Sequence, residues 1–275
     1  MIYGDIYSKL SAETLNKVSG INREFLKFGR MYFKFFGYPD VAGGGRFPIV
    51  LGMLKPQKGE KILDAGCGNG IYANSIAYYF CSKVIGCDLD KKRVKIAQQI
   101  ANCLKIEAKF SAAEIEKITF PKNYFDKIIC IEVIEHIQDD EQLIKKFNSF
   151  LKKGGILVLS TAKREELAEL EEEKRFKNVK KGKHVRSGYE FNELKEKLEN
   201  SGFKVLKFEP YYRFFSRIVI KVQQKIYKKN LVFLNLLTFP FFSLFAKLDY
   251  LIPPKTKWNN YLGWYRGFII KAVKK

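Results

Sequence analysis

Histidine and paired cysteines are scarce in this chain. Its 275 residues include two histidines and five cysteines, and no two cysteines have the Cys-x-x-Cys spacing of zinc or redox sites. Because the number of cysteines is odd and their positions are scattered, a disulfide framework is not expected. The thiols are interpreted as small buried residues in a reducing compartment. They are Cys67, Cys81, Cys87, Cys103 and Cys130.

Long apolar runs and acidic residues are also in short supply. Residues 1–11 include Asp5 and contain no continuous apolar stretch, so no signal peptide is expected. The segment from Leu231 to Ala246 is uncharged, but it is shorter than the ~20 residues that cross a bilayer. The chain is therefore expected in the cytoplasm. Its 50 Lys and Arg residues outnumber 29 Asp and Glu, which gives a formal net charge of +21.

The most informative segment is an apolar stretch that ends in an acid and three closely spaced glycines. Asp64 is followed by Gly66, Gly68 and Gly70 at alternate positions, directly before a segment with helical periodicity. Glycines allow the backbone to bend and to approach a ligand closely. The spacing is Gly-x-Gly-x-Gly, whereas pyrophosphate-binding turns have Gly-x-Gly-x-x-Gly. Because a carboxylate would repel a diphosphate, Asp64 favours a ligand with a cationic end.

The segment from Asp64 to Gly70 resembles the first motif of the class I S-adenosylmethionine-dependent methyltransferases. Three further matches follow in the family's order. The apolar stretch that ends at Asp88 lies 18 residues after Gly70, residues 125–136 resemble the fourth strand, and residues 151–160 resemble the turn and fifth strand. The similarity is greatest to the type 11 and ubiquinone-biosynthesis methyltransferases, and it covers residues 61–208.

This resemblance implies S-adenosylmethionine as the cofactor. It places the three glycines and Asp64 around the methionine end, Asp88 at the ribose hydroxyls and Leu89 against the adenine. The acid that usually contacts the adenine amino group is missing, so a backbone N–H of Ala113 or Glu114 is predicted to reach the ring. The implied cofactor-binding residues are Asp64, Gly66, Gly68, Gly70, Asp88, Leu89, Ala113, Glu114 and Glu132.

Catalytic candidates come from the segment Glu132-x-x-Glu135-His136 and from the other histidine, His184. The segment resembles both the metal-binding motif of small-RNA terminal 2′-O-methyltransferases and a motif of ubiquinone-biosynthesis O-methyltransferases. Two carboxylates and imidazole can hold a divalent cation, but the favoured interpretation is a pocket without metal. For an oxygen acceptor, Glu135, His136 and His184 are the candidates for general base.

A carbon acceptor would require different residues. Aromatic rings stabilise a developing cation, and the candidates for that role are Tyr38 and the pair formed by Tyr211 and Tyr212. Arg46 follows three glycines, Gly43 to Gly45, that are interpreted as a hinge, and it is a candidate for contact with an acidic group of the acceptor. Pairing of Arg46 with a surface acid is the alternative.

The order of elements predicts an α/β fold with a Rossmann-like sheet of seven strands, mostly parallel, closed by an antiparallel hairpin. Helices are predicted at Ile71–Phe80 and at Lys91–Leu104, and Asp90 is the expected N-cap of the second. The predicted organisation is a helical cap at 1–50, a methyltransferase core at 51–210, a helical insertion at 211–263 and the last strand at 264–275.

The insertion has a composition of its own. From Tyr211 to Lys275 the chain carries thirteen Lys and Arg residues and one acid, Asp249. Basic residues recur every four positions from Arg213 to Lys229, whereas Phe215, Val219, Val222 and Ile226 are predicted on the opposite face of the same helix. Such a basic, aromatic-rich segment is typical of contact with an anionic membrane surface. A helical lid packed on the core is the alternative, and RNA binding is a weaker one.

The sequence therefore predicts a methyltransferase acting on O or C of a lipophilic small molecule such as a quinone, an isoprenoid or a lipid precursor. It is expected in the cytoplasm, with peripheral attachment to the inner face of the membrane as a further interpretation. The alternatives are an RNA 2′-O-methyltransferase, a sugar methyltransferase of surface-polysaccharide synthesis, and a cofactor-binding fold that serves as a docking subunit.

Overall fold

The computed structural model describes residues 3–19, 25–164, 185–211, 214–229, 231–251 and 265–275. The chain divides into two compact units. The sheet unit comprises Leu51–Glu209 and Phe268–Lys275, and the helical unit comprises Met1–Val50 and Pro210–Gly267. His184, Tyr212, Arg213, residues 252–263 of the predicted insertion and Trp264 lie outside the described residues.

Seven strands form one sheet in the order β3-β2-β1-β4-β5-β7-β6. They are β1 (Lys61–Ala65), β2 (Lys83–Asp88), β3 (Ala108–Ala112), β4 (Phe125–Ile131), β5 (Leu151–Ala162), β6 (Phe203–Tyr211) and β7 (Gly267–Lys274). The first five pair in parallel, and antiparallel strands close the sheet. The predicted fold class is confirmed.

Nine α-helices accompany the sheet in the part of the chain that is described. They are α1 (Ala12–Ser19), α2 (Leu26–Phe36), α3 (Val41–Leu54), α4 (Ile71–Phe80), α5 (Lys91–Leu104), α6 (Asp140–Phe150), α7 (Phe191–Asn200), α8 (Phe214–Lys228) and α9 (Val232–Ala246). The predicted bounds of α4 and α5 are confirmed to the residue.

The central strands carry the core because both of their faces are covered. Four of the five residues of β1 are buried, and so is most of β4. Strands buried on both faces are continuous apolar runs, which is why they could be recognised in the sequence. As predicted, Asp90 caps α5, and its carboxylate accepts hydrogen bonds from the N–H groups of Lys92 and Arg93.

The helical unit is held together around buried amide side chains. Gln223 of α8 accepts a hydrogen bond from the N–H of Val41 at 3.1 Å and donates to the carbonyl of Pro39 at 3.1 Å. It also donates to the side chain of Asn235 on α9, which itself donates to Pro39. Because a buried amide costs free energy unless it is paired, this network specifies how α3, α8 and α9 pack.

The prediction that Gly43 to Gly45 form a hinge is wrong. All three glycines lie inside α3. A Cβ atom at Gly43 would lie 2.4 Å from the ring of Tyr3, so this glycine permits close packing of the helix against an aromatic side chain. Three consecutive glycines lower helix propensity, and tertiary packing overrides that preference here. Arg46 lies with its guanidinium 5.6 Å from the centre of the Tyr211 ring.

One further expectation needs correction. Cys67, Cys87 and Cys130 are buried, but Cys103 is half-buried and Cys81 is exposed at the end of α4, where its φ of 51° ends the helix. On the apolar face predicted for α8, Val219 and Ile226 are buried, whereas the side chain of Val222 is 42% exposed. Within the described residues, no helix is both long enough and apolar enough to span a membrane.

Candidate functional site

The glycine turn connects β1 to α4 through left-handed backbone conformations. Gly66, Gly68 and Gly70 have φ values of 82°, 53° and 71°, which only glycine adopts without strain. A Cβ atom at Gly66 would lie 2.1 Å from Cγ2 of Val133, on the segment that follows β4. The turn therefore brings the backbone directly against the neighbouring loop, and it leaves the first N–H groups of α4 at the carboxyl ends of the strands.

Asp64 lies almost fully buried at the end of β1, beside this turn. Its Oδ2 atom has no hydrogen-bond partner in the part of the chain that is described. Burial raises the pKa of Asp64 to about 7, the N–H of Ala73 in the first turn of α4 opposes the shift, and Asp88 adds to it. A buried carboxylate with one oxygen left unpaired fits a cationic group, such as the ammonium at the methionine end of S-adenosylmethionine.

Asp88 ends β2 and holds the glycine turn in place. One carboxylate oxygen accepts a hydrogen bond from the N–H of Gly68 at 2.9 Å, and the other accepts one from the N–H of Asp90 at 2.9 Å. A carboxylate has about four acceptor positions, so two bonds leave capacity for ribose hydroxyls. Leu89 follows with its side chain 46% exposed, as an apolar surface available to an adenine ring.

The predicted contact between the backbone N–H of Ala113 and the adenine is wrong. The N–H of Ala113 donates to the carbonyl of Asp88 at 3.0 Å, so that amide extends the pairing of β2 and β3 and is not directed to a ligand. Contact between the N–H of Glu114 and the adenine stays a prediction. The Glu114 carboxylate forms an ion pair with Lys117 at 3.1 Å.

Glu132 has a strained backbone directly after β4. Its φ is 56°, a conformation that costs a residue with a side chain of order 1–3 kcal/mol. Ser160 of β5 stabilises it twice: the hydroxyl donates to Oε1 of Glu132 at 2.9 Å, and the Ser160 carbonyl accepts the Glu132 N–H at 3.1 Å. This strain places a carboxylate at the carboxyl edge of the sheet, where open α/β sheets bind their ligands.

Glu135 and His136 belong to a short 3-10 helix, Ile134–His136, beside this edge. Glu135 is 1% exposed, and one carboxylate oxygen accepts a hydrogen bond from the hydroxyl of Thr161 at 3.2 Å. His136 is half-buried. The carbonyl of Glu135 accepts the N–H of Val185 at 3.0 Å. His184 lies outside the described residues, so its predicted role stays a prediction.

A buried ionic network next to this site could not be predicted from sequence motifs. Asp140, the first residue of α6, pairs with Arg186, accepts a hydrogen bond from the hydroxyl of Tyr189 at 2.6 Å, and pairs with Lys197 of α7 at 2.9 Å. Burial opposes ionisation of Asp140, but the hydrogen bonds from Tyr189 and Lys197 and the charge of Arg186 keep its pKa low. The network fixes the segment that contacts Glu135 through Val185.

The remaining candidates concern a metal site, two polar residues of β5 and the tyrosines predicted for a carbon acceptor. Among the described residues, no three His, Cys, Asp or Glu side chains are grouped to hold a metal ion. Ser160 and Thr161 were not predicted, although a polar pair directly after the apolar run of β5 is a visible pattern. Tyr38 packs against Phe33 and Tyr7 in the helical unit, and Tyr211 contacts Arg46.

The comparison with protein-family models decides the classification. Residues 56–214, more than half of the chain, match the model described as "Methyltransferase domain". The chain belongs to the class I S-adenosylmethionine-dependent methyltransferase family. S-adenosylmethionine is the cofactor, and its binding by the glycine turn and the two strand-end aspartates stays a prediction.

Relatives in this family carry several substrate names. The chain is 33% identical over 144 residues to phosphoethanolamine N-methyltransferase 3 of Arabidopsis thaliana, covering 52% of this chain and 28% of that protein. It is 31% identical over 120 residues to a ubiquinone biosynthesis O-methyltransferase of Coxiella burnetii, covering 42% of this chain and 51% of that protein. The chain thus spans about half or less of the length of these curated relatives.

Solved methyltransferases share the fold at lower identity. Phosphoethanolamine N-methyltransferase 2 of Haemonchus contortus, in complex with S-adenosyl-L-methionine, superposes with a TM-score of 0.59 at 18% identity. The superposition covers 96% of this chain and 60% of that one. At this identity the match supports the fold of the class I methyltransferases.

Proposed function

We propose that this protein transfers a methyl group from S-adenosylmethionine to an oxygen or carbon atom of a lipophilic small molecule, such as a quinone, an isoprenoid or a lipid precursor. One observation carries the methyl-transfer part. A buried carboxylate oxygen of Asp64 without a partner lies beside a glycine turn. This arrangement can compensate a cationic amino-acid end while the backbone of the turn lies close to it.

Each residue of the site has a defined task in this proposal. Asp64 would hold the ammonium group, Asp88 would hold the ribose hydroxyls with its remaining acceptor positions, and Leu89 would cover the adenine. The bound cofactor supplies a methyl group that its sulfonium already activates. Correct positioning of an acceptor in a dry pocket then contributes most of the acceleration, on the order of 7–11 kcal/mol.

Methylation of a hydroxyl group also requires a proton acceptor. Glu135 is buried beside the carboxyl edge of the sheet, and Thr161 orients its carboxylate. We assign the general base to Glu135, with His136 as the alternative. The base takes the hydroxyl proton while the acceptor oxygen forms its bond to the methyl carbon and the bond from that carbon to sulfur breaks.

The lipophilic nature of the acceptor is supported by the surface of the helical unit. Thirteen of the fifteen exposed large apolar side chains found among the described residues lie in this unit. Lysines accompany them on α2 and α8. Apolar and cationic side chains together are typical of proteins that contact an anionic bilayer. We therefore also propose that the protein acts at a membrane surface.

A phosphorylated amine is the second candidate acceptor. It is favoured by the similarity to the Arabidopsis phosphoethanolamine methyltransferase, which covers 52% of this chain. Phosphoethanolamine is small and polar and needs no apolar surface. The exposed apolar residues of the helical unit therefore favour the lipophilic acceptor over this one.

Methyl-labelled S-adenosylmethionine tests the proposal. The full chain is incubated with anionic vesicles that contain extracted membrane lipids and quinone precursors, with phosphoethanolamine, or with structured RNA. We expect label in the organic phase, dependent on vesicles and lost in Asp64→Asn. The matched control is Asp126→Asn, which alters an acid that pairs with Lys152 away from the glycine turn.

Three other outcomes would overturn the lipophilic assignment. Label confined to phosphoethanolamine would support the second candidate, and label in RNA would support the nucleic-acid alternative. Absence of transfer to any acceptor, with tight S-adenosylmethionine binding intact, would favour a cofactor-binding docking subunit.

A further inference from the structure

An open apolar groove lies between α8 and α9 within the helical unit. Its volume is about 530 Å³, within the ~300–1,000 Å³ range of pockets that bind small molecules. All eight side chains that line it are apolar, and they include Ile218 and Val222 of α8, Phe241, Leu244 and Phe245 of α9, and Leu248. The named side chains of α8 and α9 are each at least 40% exposed, unlike those of the packed interior.

One end of the groove carries positive charge. Two groove residues and two lysines are spaced by four, three and four residues along α8 and its last turn: Ile218, Val222, Lys225 and Lys229. Residues at these spacings share one face of a helix. Both lysines are exposed and form no ion pair within the described residues. Asp249 is the acid nearest in sequence after α8, but it is buried and caps the N-terminal end of that helix.

We propose that this groove binds a single long-chain amphiphile with an anionic head group. The hydrocarbon chain lies between α8 and α9, and the head group contacts Lys225 and Lys229. Charge complementarity selects this occupant, because an apolar groove with a cationic end matches a ligand with a hydrocarbon chain and an anionic end. The inference deepens the proposed function, because it rests on the lipophilic substrate class and assigns the residues that recognise it.

Direct binding to the full chain tests the proposal without methyl transfer. The probe is cis-parinaric acid, a fatty acid that fluoresces when its chain leaves water, and palmitate, hexadecanol, octanoate and hexadecyltrimethylammonium compete for it. We expect palmitate to displace the probe best. Each buried methylene strengthens binding by about fourfold, so octanoate should compete at least about tenfold more weakly. The cationic amphiphile should also compete poorly.

Two pairs of variants locate the site. Val222→Trp fills the groove and should weaken probe binding by about tenfold or more, whereas Leu206→Trp alters an exposed leucine of the sheet unit that does not line the groove. The double variant Lys225→Gln, Lys229→Gln should weaken binding of the anionic probe by about tenfold and leave hexadecanol unchanged. The double variant Lys27→Gln, Lys34→Gln is the charge-matched control, because both exposed lysines lie on α2, which does not line the groove.

Specific outcomes would overturn the inference. Equal effects of Val222→Trp and Leu206→Trp would mean that the hydrocarbon chain binds elsewhere. Absence of probe binding, together with a dimer in sedimentation velocity that Val222→Trp dissociates, would assign the groove to a second copy of the chain. Probe binding without methylation of any lipophilic acceptor would refute the proposed function and leave the groove assignment intact. Methylation of a lipophilic acceptor without probe binding would refute only the groove assignment.

Discussion

The two units of this protein differ in how many large apolar side chains they expose. In the sheet unit, Leu89 and Leu206 are the exposed large apolar residues found in the described part. The helical unit exposes thirteen, including Phe241 at 75%. Scattered single apolar side chains on a surface are ordinary, but a concentration on a few helices indicates an interaction surface. The sheet unit is thus optimised for packing, and the helical unit retains surface for a partner.

The units also differ in how they use buried polar groups. The sheet unit buries charge: Asp140 pairs with Arg186 and Lys197. In the helical unit, the buried amides Gln223 and Asn235 hydrogen-bond to each other and to backbone groups, and the buried acid Asp249 accepts hydrogen bonds from backbone N–H groups. A buried polar group is costly once its partner is removed. Both networks therefore specify packing, and neither is expected to bind a ligand.

Substitution of a glycine in the turn between β1 and α4 should have the largest effect. Gly66→Ala places a Cβ atom 2.1 Å from Val133 at a positive φ, and we expect a loss of ~3 kcal/mol or more in the free energy of unfolding. Gly154→Ala is the control, because its φ is 73° but no atom lies within 4 Å of the added Cβ. It should cost about 1 kcal/mol. Equal losses in urea unfolding would contradict the packing argument.

Loss of the amide network should destabilise the helical unit. Gln223→Leu leaves the N–H of Val41 and the side chain of Asn235 without their partner, which should lower the free energy of unfolding by about 2 kcal/mol. Gln224→Leu changes the neighbouring, exposed glutamine and should change stability by less than ~0.5 kcal/mol. Urea unfolding measures both. A similar effect of the two variants would show that the network contributes little.

The raised pKa of Asp64 predicts pH-dependent cofactor binding. Because burial raises this pKa to about 7, the carboxyl is mostly protonated at pH 5.5 and mostly ionised at pH 7.5. The affinity for S-adenosylmethionine should therefore increase by about 25-fold over this range, in proportion to the ionised form that pairs with the ammonium group. Calorimetric titration at several pH values measures it.

The same shift has an effect of defined sign on the stability of the protein without ligand. The folded state retains the Asp64 proton to a higher pH than the unfolded chain does, so the contribution of this group to stability falls as pH rises from about 4 to about 7. Asp64→Asn should flatten both the stability and the affinity profile. An unchanged affinity profile in this variant would remove Asp64 from the ammonium site.

The smallest effect on stability is expected at the exposed apolar residues. The double variant Phe241→Ser, Leu244→Ser should change the free energy of unfolding by less than ~0.5 kcal/mol but abolish the salt-resistant part of binding to anionic vesicles. Leu206→Ser changes an exposed leucine of the sheet unit and should leave vesicle binding unchanged. Co-sedimentation at low and high salt, with RNA as a competitor, measures both. Retained binding in the double variant would contradict a membrane-contact role.

Much of the sheet unit could be predicted from the sequence because its determinants are local. The apolar runs of β1 and β4, the N-cap Asp90 and the glycine turn each report a structure formed within a few residues. Family resemblance supplied the order of the strands. Glu132 was predicted as a site residue, but its strained backbone and its stabilisation by Ser160 could not be predicted, because that contact joins two segments that are distant in the chain.

The helical unit was harder to predict. Helical periodicity identified α8, but it could not determine which apolar residues are packed and which are exposed. Val219 and Ile226 are buried, whereas Val222 is exposed. The glycines of α3 were interpreted as a hinge because their local preference favours flexibility. The ring of Tyr3, forty residues away in the chain, instead provides a packing partner.

The sequence by itself determined the family, the cofactor and the aspartates and glycines at the ends of β1 and β2, because strand, turn and cap are encoded by adjacent residues. Only the tertiary structure decided the rest. The Asp140 network, the Gln223 network and the groove between α8 and α9 join residues that are distant in the chain. Their partners and their exposure depend on how the elements pack, and no local pattern encodes that.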